Sequence, residues 1–159
     1  MQLTLTVRDF EPEDLGDLEW SGGPEHITAV AEALQASFSG EVAMAVVALP
    51  NGRLIANGAV DFRKHPDAGE VWMLSVHETF QSMGVGTALI DALEDRIVGK
   101  GLRTARLSVE HDNPRAAALY RRRGYREVGS ELDSWPTSGR RTYVTVCTVL
   151  ERDLGSRAV

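Results

Sequence analysis

The stretch Leu74-Ser75-Val76-His77-Glu78-Thr79-Phe80-Gln81-Ser82-Met83-Gly84-Val85-Gly86 decides how this chain is read. It leaves an apolar, partly β-branched strand (Glu70–Val76), crosses a polar turn, and enters a helix running from about Gly84 to Lys100. Val85, Leu89, Leu93 and Ile97 recur at helical spacing, and Gly101 stops the helix. Glycines at 84 and 86 remove side chains where backbone N–H groups must approach a ligand closely. The helix start adds unpaired donors and the positive end of the helix dipole, a ready site for phosphate. A dinucleotide-binding fingerprint is excluded on detail: the third glycine is missing, the turn is too long, and no ribose-binding acid follows. A Walker lysine is absent as well.

Outward from this turn the chain alternates elements. Leu3, Leu5 and Val7 alternate with polar residues as a half-buried strand. Asp9 to Trp20 is acidic and turn-rich, with Pro12 placed for a first helical turn. Pro24–Phe38 carries Ile27, Val30, Ala31, Leu34 and Phe38 at helical spacing. Strands Glu41–Leu49 and Leu54–Phe62 are joined across Pro50-Asn51-Gly52-Arg53, a hairpin signal. Downstream, Thr104–Glu110 reads as a strand, Asn113–Arg123 as a short helix and Tyr125–Leu132 as a strand. A polar loop, Ser134–Arg141, leads to a last strand, Thr142–Leu150. The order predicts a mixed α/β fold in one domain, residues 1–154, with 155–159 as a C-terminal tail.

Two separated motifs carry a family resemblance. The stretch from Leu74 to Gly86 resembles the GNAT superfamily signature, an apolar-x-Val strand end followed by Gln/Arg-x-x-Gly-x-Gly/Ala. Asn113-Pro114-Arg115-Ala116-Ala117-Ala118-Leu119-Tyr120, then Gly124-Tyr125, is similar to that superfamily's second motif, Asn-x-x-Ala-x-x-Leu-Tyr-x-x-x-Gly-Phe/Tyr. The element order matches across nearly the whole chain. Three positions depart: Ser82 and Met83 stand where the family often has Gly and a basic residue, and Glu78 where Pro is common.

The resemblance implies a GNAT fold, with a mixed twisted sheet, a splayed parallel strand pair and helices on both faces. It implies acetyl transfer from acetyl-CoA to a primary amine by direct attack through a tetrahedral intermediate, without a metal. Leu74, Ser75 and Val76 would pair with the pantetheine arm, and Gln81, Ser82, Met83, Gly84, Val85, Gly86 and Thr87 would surround the pyrophosphate. Asn113 would cap the second helix and touch the cofactor arm, a role that capping alone also explains. Tyr120 matches the general acid, because a phenol stays protonated at neutral pH and can give a proton to the thiolate. Glu70 coincides with the position where some relatives place a base; Glu110 is the second candidate, and a water relay is a third route. A non-catalytic acyl-CoA-binding module would keep the same motifs.

Composition bounds the rest. At 159 residues, 43% of them hydrophobic, the chain is long enough to bury a core. It has no apolar run long enough to span a membrane and no signal-peptide pattern at its start, so a cytoplasmic protein is expected. The single cysteine, Cys147, excludes a disulfide framework and reads as a small buried residue. His26, His65, His77 and His111 show no ligand spacing and no carboxylate pairing, so no metal site is expected. Trp72 reads as core, and Trp135 as a candidate for the acceptor pocket.

The net charge of −6 hides an asymmetry. Residues 1–50 hold nine acids against Arg8, while residues 100–126 hold eight bases against Glu110 and Asp112. Two solvated faces explain such a split without function. On the expected fold it instead suggests a basic side toward the cofactor, with Arg121 or Arg122 reaching the nucleotide end, and an acidic entrance for a cationic amine. An acidic domain without aromatic-basic patterning argues against nucleic acid. Oligomeric state stays open, with a homodimer among the outcomes because homodimers are common in similar proteins.

Overall fold

The computed structural model describes residues 4–137, 139 and 141–156. Seven strands form one sheet: β1 (Thr6–Asp9), β2 (Val42–Ala48), β3 (Leu54–Asp61), β4 (Ala68–Val76), β5 (Thr104–Glu110), β6 (Arg126–Pro136) and β7 (Thr142–Asp153). Their order is β1-β2-β3-β4-β5-β7-β6. Every neighbouring pair is antiparallel except β4 and β5. The helices are α1 (Pro24–Ser37), α2 (Val85–Gly99) and α3 (Pro114–Arg122).

Two cores follow from the alternation of side chains across the sheet. Val85, Leu89, Leu93 and Ile97 of α2 pack with Val60, Val71, Leu107, Leu150 and Tyr120 on one face. Val30 and Leu34 of α1 pack with Val42, Met44, Val46 and Ala59 on the other, where Leu18 and Phe10 close the edge. The stripe read from α2 is therefore the stripe that is buried. At the hairpin joining β2 to β3, Gly52 adopts φ 86°, the left-handed geometry that Asn-Gly turns supply.

Three expectations shift. The acidic segment after β1 forms only short 3-10 turns, Pro12–Asp17 and Glu19–Ser21, and no α-helix. Asp14 accepts there from the Glu11 amide and from Arg8, so local side-chain bonds replace a helical ladder. The strand expected to end at Leu132 runs on to Pro136, shortening the expected loop 134–141 to 137–141. Pairing with β7 supplies what the polar sequence hid: Ser134 faces Val144, and Trp135 lies 4.8 Å from the Tyr143 ring. Pro136 is tolerated because it closes an edge strand. The first strand starts at Thr6, with Leu3 outside the described residues. Of the expected tail, 155–159, the first two residues complete a 3-10 turn, Leu154–Ser156, and residues 157–159 lie outside the described residues.

Candidate active site

The parallel pair that should carry the site is joined only at one end. Ala68, Gly69 and Glu70 pair with Thr104, Ala105 and Arg106, and no register continues beyond them. A bulge causes the parting. Asn57 faces Ser75 and Ala59 faces Trp72, leaving Met73 and Leu74 together opposite Gly58. Met73 takes φ 58°, a left-handed conformation that is uncommon outside glycine. Gly58 makes room for the bulge, since a Cβ there would lie 2.7 Å from Leu74 Cδ2 and 3.0 Å from Leu93 Cδ1.

Beyond the slot the chain curls into the turn read from sequence. Ser82 (φ 66°) and Gly84 (φ 81°) are both left-handed, with an ordinary residue between them. Such alternation turns successive N–H groups toward one concavity. Gln81 Nε2 donates to the Val76 carbonyl at 3.3 Å, tying the turn back to the end of β4. The first closing bond of α2 is Ala88 N–H to Gly84 O, so the amides of Val85, Gly86 and Thr87 precede the helical ladder. A Cβ at Gly86 would meet Leu119 and Val76 only at 3.8 Å, so the missing side chain leaves free space that the fold itself does not need.

This space is a cleft of about 520 Å³ between α2 and α3. Of the expected residues, Leu74, Val76, Gln81, Ser82, Gly84, Gly86, Thr87, Asn113 and Tyr120 line it. Ser75, Met83 and Val85 do not. Ser75 faces Asn57 across the strand pair, Met83 is half exposed, and Val85 is fully buried in the core. Asn113 caps α3 by accepting from the Ala116 amide at 3.2 Å. Arg115 and Arg122 also line the cleft, and Arg115 donates to Ser82 Oγ. Arg115 was not singled out in the sequence. Its place next to the family's Asn is the signal that could have found it, because the first turn of α3 must face the cleft that Asn113 faces. Arg121 turns away to Glu127.

A second cleft of about 310 Å³ opens along the parted strands, and Leu74, Asn113, Ala116 and Tyr120 belong to both. Tyr120 is buried, with its ring 5.8 Å from Tyr125 in an edge-to-face pair. Burial raises the Tyr120 phenol to about 12. Tyr125 donates at 2.8 Å to Glu94, a fully buried carboxylate that also takes Arg152 at 2.9 Å. Burial first, and then the Glu94 charge, push the Tyr125 phenol still higher.

The second cleft is lined by Glu70, Glu110, Glu131 and Asp133 against the single ammonium of Lys64. None of the acids of residues 1–50, where the acidic entrance is expected, lines it; the carboxylates at this cleft come from β4, β5 and β6. Glu70 is 8% exposed, accepts from Lys64 Nζ at 2.7 Å, and faces His65 Nε2 at 3.1 Å. Burial is the largest single influence on Lys64 and works against its charge, but the Glu70 bond and the charges of Glu70, Asp61 and Asp133 together outweigh it and hold the ammonium above its ordinary range. Glu110 accepts from Tyr143 at 3.4 Å, and Glu131 accepts from Ser108. Trp72 is both core and cleft wall, packing against the α1 cluster while lining this space. Trp135 stacks on Tyr143 and is not part of the lining. Cys147 is buried, as its alternation suggested. Among the described residues no group of three His, Cys, Asp or Glu is placed to hold a metal. Among the described residues no helix is long and apolar enough to cross a membrane.

A mixed sheet parted at its one parallel pair, with a turn of left-handed residues and unpaired amides heading the next helix, is the arrangement that the sequence resemblance implies. The acetyltransferase (GNAT) family model matches residues 9–125, and the chain belongs to that family. It is 36% identical over 75 residues to mycothiol acetyltransferase of Arthrobacter, covering 47% of this chain and 23% of that protein. It is 38% identical over 63 residues to L-2,4-diaminobutyric acid acetyltransferase of Nocardia farcinica, covering 37% of this chain and 33% of that one. These matches thus span a third or less of the relatives' own length. Among solved structures, the fold superposes on the ribosomal-protein-S18-alanine N-acetyltransferase of Escherichia coli with a TM-score of 0.75. That match has 21% identity and covers 95% of this chain and 94% of the other. A spermidine N-acetyltransferase chimera of Vibrio cholerae and a human enzyme gives 0.75 at 19% identity, covering 95% and 96%.

Proposed function

We propose that the protein is an acetyl-CoA-dependent N-acetyltransferase acting on a primary amine that carries positive charge. The observation carrying this reading is the junction at Tyr120, where a cleft rimmed by backbone donors and arginines meets one walled by carboxylates. The first suits an anionic pyrophosphate, with Gly84, Gly86 and Thr87 at the helix head and Arg115 and Arg122 beside them. Arg115 on Ser82 supplies the positive charge that Met83 lacks. The free edge of β4 at Leu74–Val76 offers main-chain groups to the amides of the pantetheine arm.

In the proposed reaction the amine attacks the thioester carbonyl and the thiolate leaves. An ammonium has no lone pair, so it must first lose a proton, which Glu70 receives directly or through water. Tyr120, held protonated by burial, gives its proton to the departing thiolate sulfur and regains one from the protonated nitrogen of the tetrahedral intermediate. Positioning two substrates in adjoining clefts supplies most of the acceleration. The relatives' acceptors include diaminobutyric acid and spermidine, both amines with a second polar or charged group, which agrees with four carboxylates at the acceptor side. Compartment and assembly belong to the same proposal: a cytoplasmic enzyme of one domain, residues 1–154.

The test is thiol release from acetyl-CoA across a panel of amines. Release that depends on a diamine or polyamine, and falls with Tyr120→Phe, is expected. Cofactor binding without amine-dependent release would leave the chain an acyl-CoA-binding module.

A further inference from the structure

Glu70 cannot act as an isolated base: its ion-pair partners are two cations and an imidazole, with Asp61 its register partner on β3. Lys64 Nζ holds Oε2 at 2.7 Å, while His65 Nε2 and Arg106 Nε stand 3.1 and 3.8 Å from Oε1. A carboxylate that receives a proton in this setting must pass it on before the next turnover. A guanidinium cannot take it. Lys64 is held in its charged form by the same carboxylate and is already full. Imidazole alone both accepts and releases a proton near neutrality.

The side chain of His65 is 30% exposed against 10% for Glu70, so the imidazole meets solvent more freely than the carboxylate it touches. We propose that His65 is a positioning residue that acts through Glu70, taking the acceptor's proton from that carboxylate at Nε2 and passing it to water. This rests on the reading of Glu70 as the group that receives the proton.

The balance is simple. The N–H bond of the acceptor ammonium breaks as an O–H bond forms on Glu70. That bond breaks as an Nε2–H bond forms on His65 in its Nδ1–H tautomer, and the imidazolium then loses the Nδ1 proton to water. Nothing is oxidised or reduced. The charged groups around the pair are Lys64 in the same loop, Asp61 and Arg63 at the end of β3, and Arg106 on β5. Glu131 and Asp133 on β6 and Glu151 on β7 complete the set. Sequence inspection misses the pair because His65 and Glu70 lie on opposite sides of the turn into β4, at no recurring spacing.

The experiment compares the native enzyme with His65→Gln, His65→Ala and Glu70→Gln in the amine-dependent thiol-release assay across pH. Acetyl-CoA affinity and thermal unfolding are measured alongside. His65→Gln, which can still hold Glu70 but cannot relay, is expected to lower kcat about 100-fold, with acetyl-CoA affinity within about twofold of native. The acid limb of the native kcat profile should flatten in that variant. Added imidazole should restore His65→Ala, and more basic imidazoles should restore it further. Native kcat in His65→Gln, or a loss in His65→Ala that imidazole does not touch, overturns the relay. Native kcat in Glu70→Gln removes the base reading beneath it, and a native enzyme with no amine-dependent release overturns both.

Discussion

On one side of Tyr120 the walls are main chain, glycine and arginine; on the other they are carboxylate side chains. The cofactor side is local, with one continuous turn from Gln81 to Thr87 and the first turns of α3 supplying most of it. The acceptor side is assembled at long range, from the loop before β4, from β4 itself, and from β5, α3 and β6. The difference follows from what each side must hold. Under the proposed function the cofactor's pyrophosphate is the same in every turnover and can be met by backbone N–H groups, which no substitution except proline removes. An acceptor varies, and only side chains can be exchanged to follow it.

That contrast can be broken at its strongest point first. An added Cβ at Gly86 meets only ordinary 3.8 Å contacts, so Gly86→Leu enters the cleft from an unclashed Cβ. It should weaken acetyl-CoA binding by about 1,000-fold, while replacing a helical glycine should leave stability level or raise it by about 0.5–1 kcal/mol. Calorimetric titration and thermal unfolding measure the two quantities, and parallel losses in both would show that Gly86 serves packing instead of the cofactor.

The junction is next. Tyr120→Phe should lower kcat about 100-fold with cofactor affinity unchanged. In the intact protein Tyr120 ionises near 12, two units above an unfolded tyrosine. Below about pH 10 the phenol is neutral in both states and adds no pH dependence. Between about 10 and 12 the unfolded chain ionises first, so stability falls as pH rises through that window. Tyrosinate absorbance and unfolding midpoints, compared with Tyr120→Phe, would show whether this residue carries its share of the loss.

On the acceptor side, Glu131→Gln combined with Asp133→Asn should raise KM for a dicationic amine about tenfold. A neutral-tailed amine should change less, and added salt should narrow the gap between them. Equal effects on both amines would remove the charge argument and leave the fold untouched. The smallest change concerns the anion turn. Arg115→Ala should weaken acetyl-CoA binding about tenfold, with Met83→Arg in the same chain recovering most of it. A second variant that recovers nothing would mean that Arg115 supports Ser82 and not the phosphates.

The same contrast sets what could be read before any coordinates. The anion turn was legible because its requirements are written in consecutive residues: a strand end, two glycines and a helix stripe. Tyr120 and Asn113 were legible through a second contiguous motif. Glu131, Asp133 and Lys64 were not, because their meeting depends on how far β6 extends along β7 and on where the β3–β4 turn places its side chains. The early acidic run was conspicuous in the sequence yet lines neither cleft, since Asp14 is spent on Arg8 and the Glu11 amide. Gly58 was equally silent, its need for a bare Cα arising from a bulge on the neighbouring strand.

The ladder between β4 and β5 closes only at Ala68–Glu70 and Thr104–Arg106. The seven strands are thus two panels, four on one side and three on the other, hinged along a single short seam. Panels joined so narrowly can change their angle at little cost in hydrogen bonds. The buried Glu94, gripping Tyr125 and Arg152 from α2, acts as a brace across the hinge. An extended chain seated in the gap would close the ladder and stiffen the whole sheet, so the weakest seam in the protein is also the one that an occupant would mend.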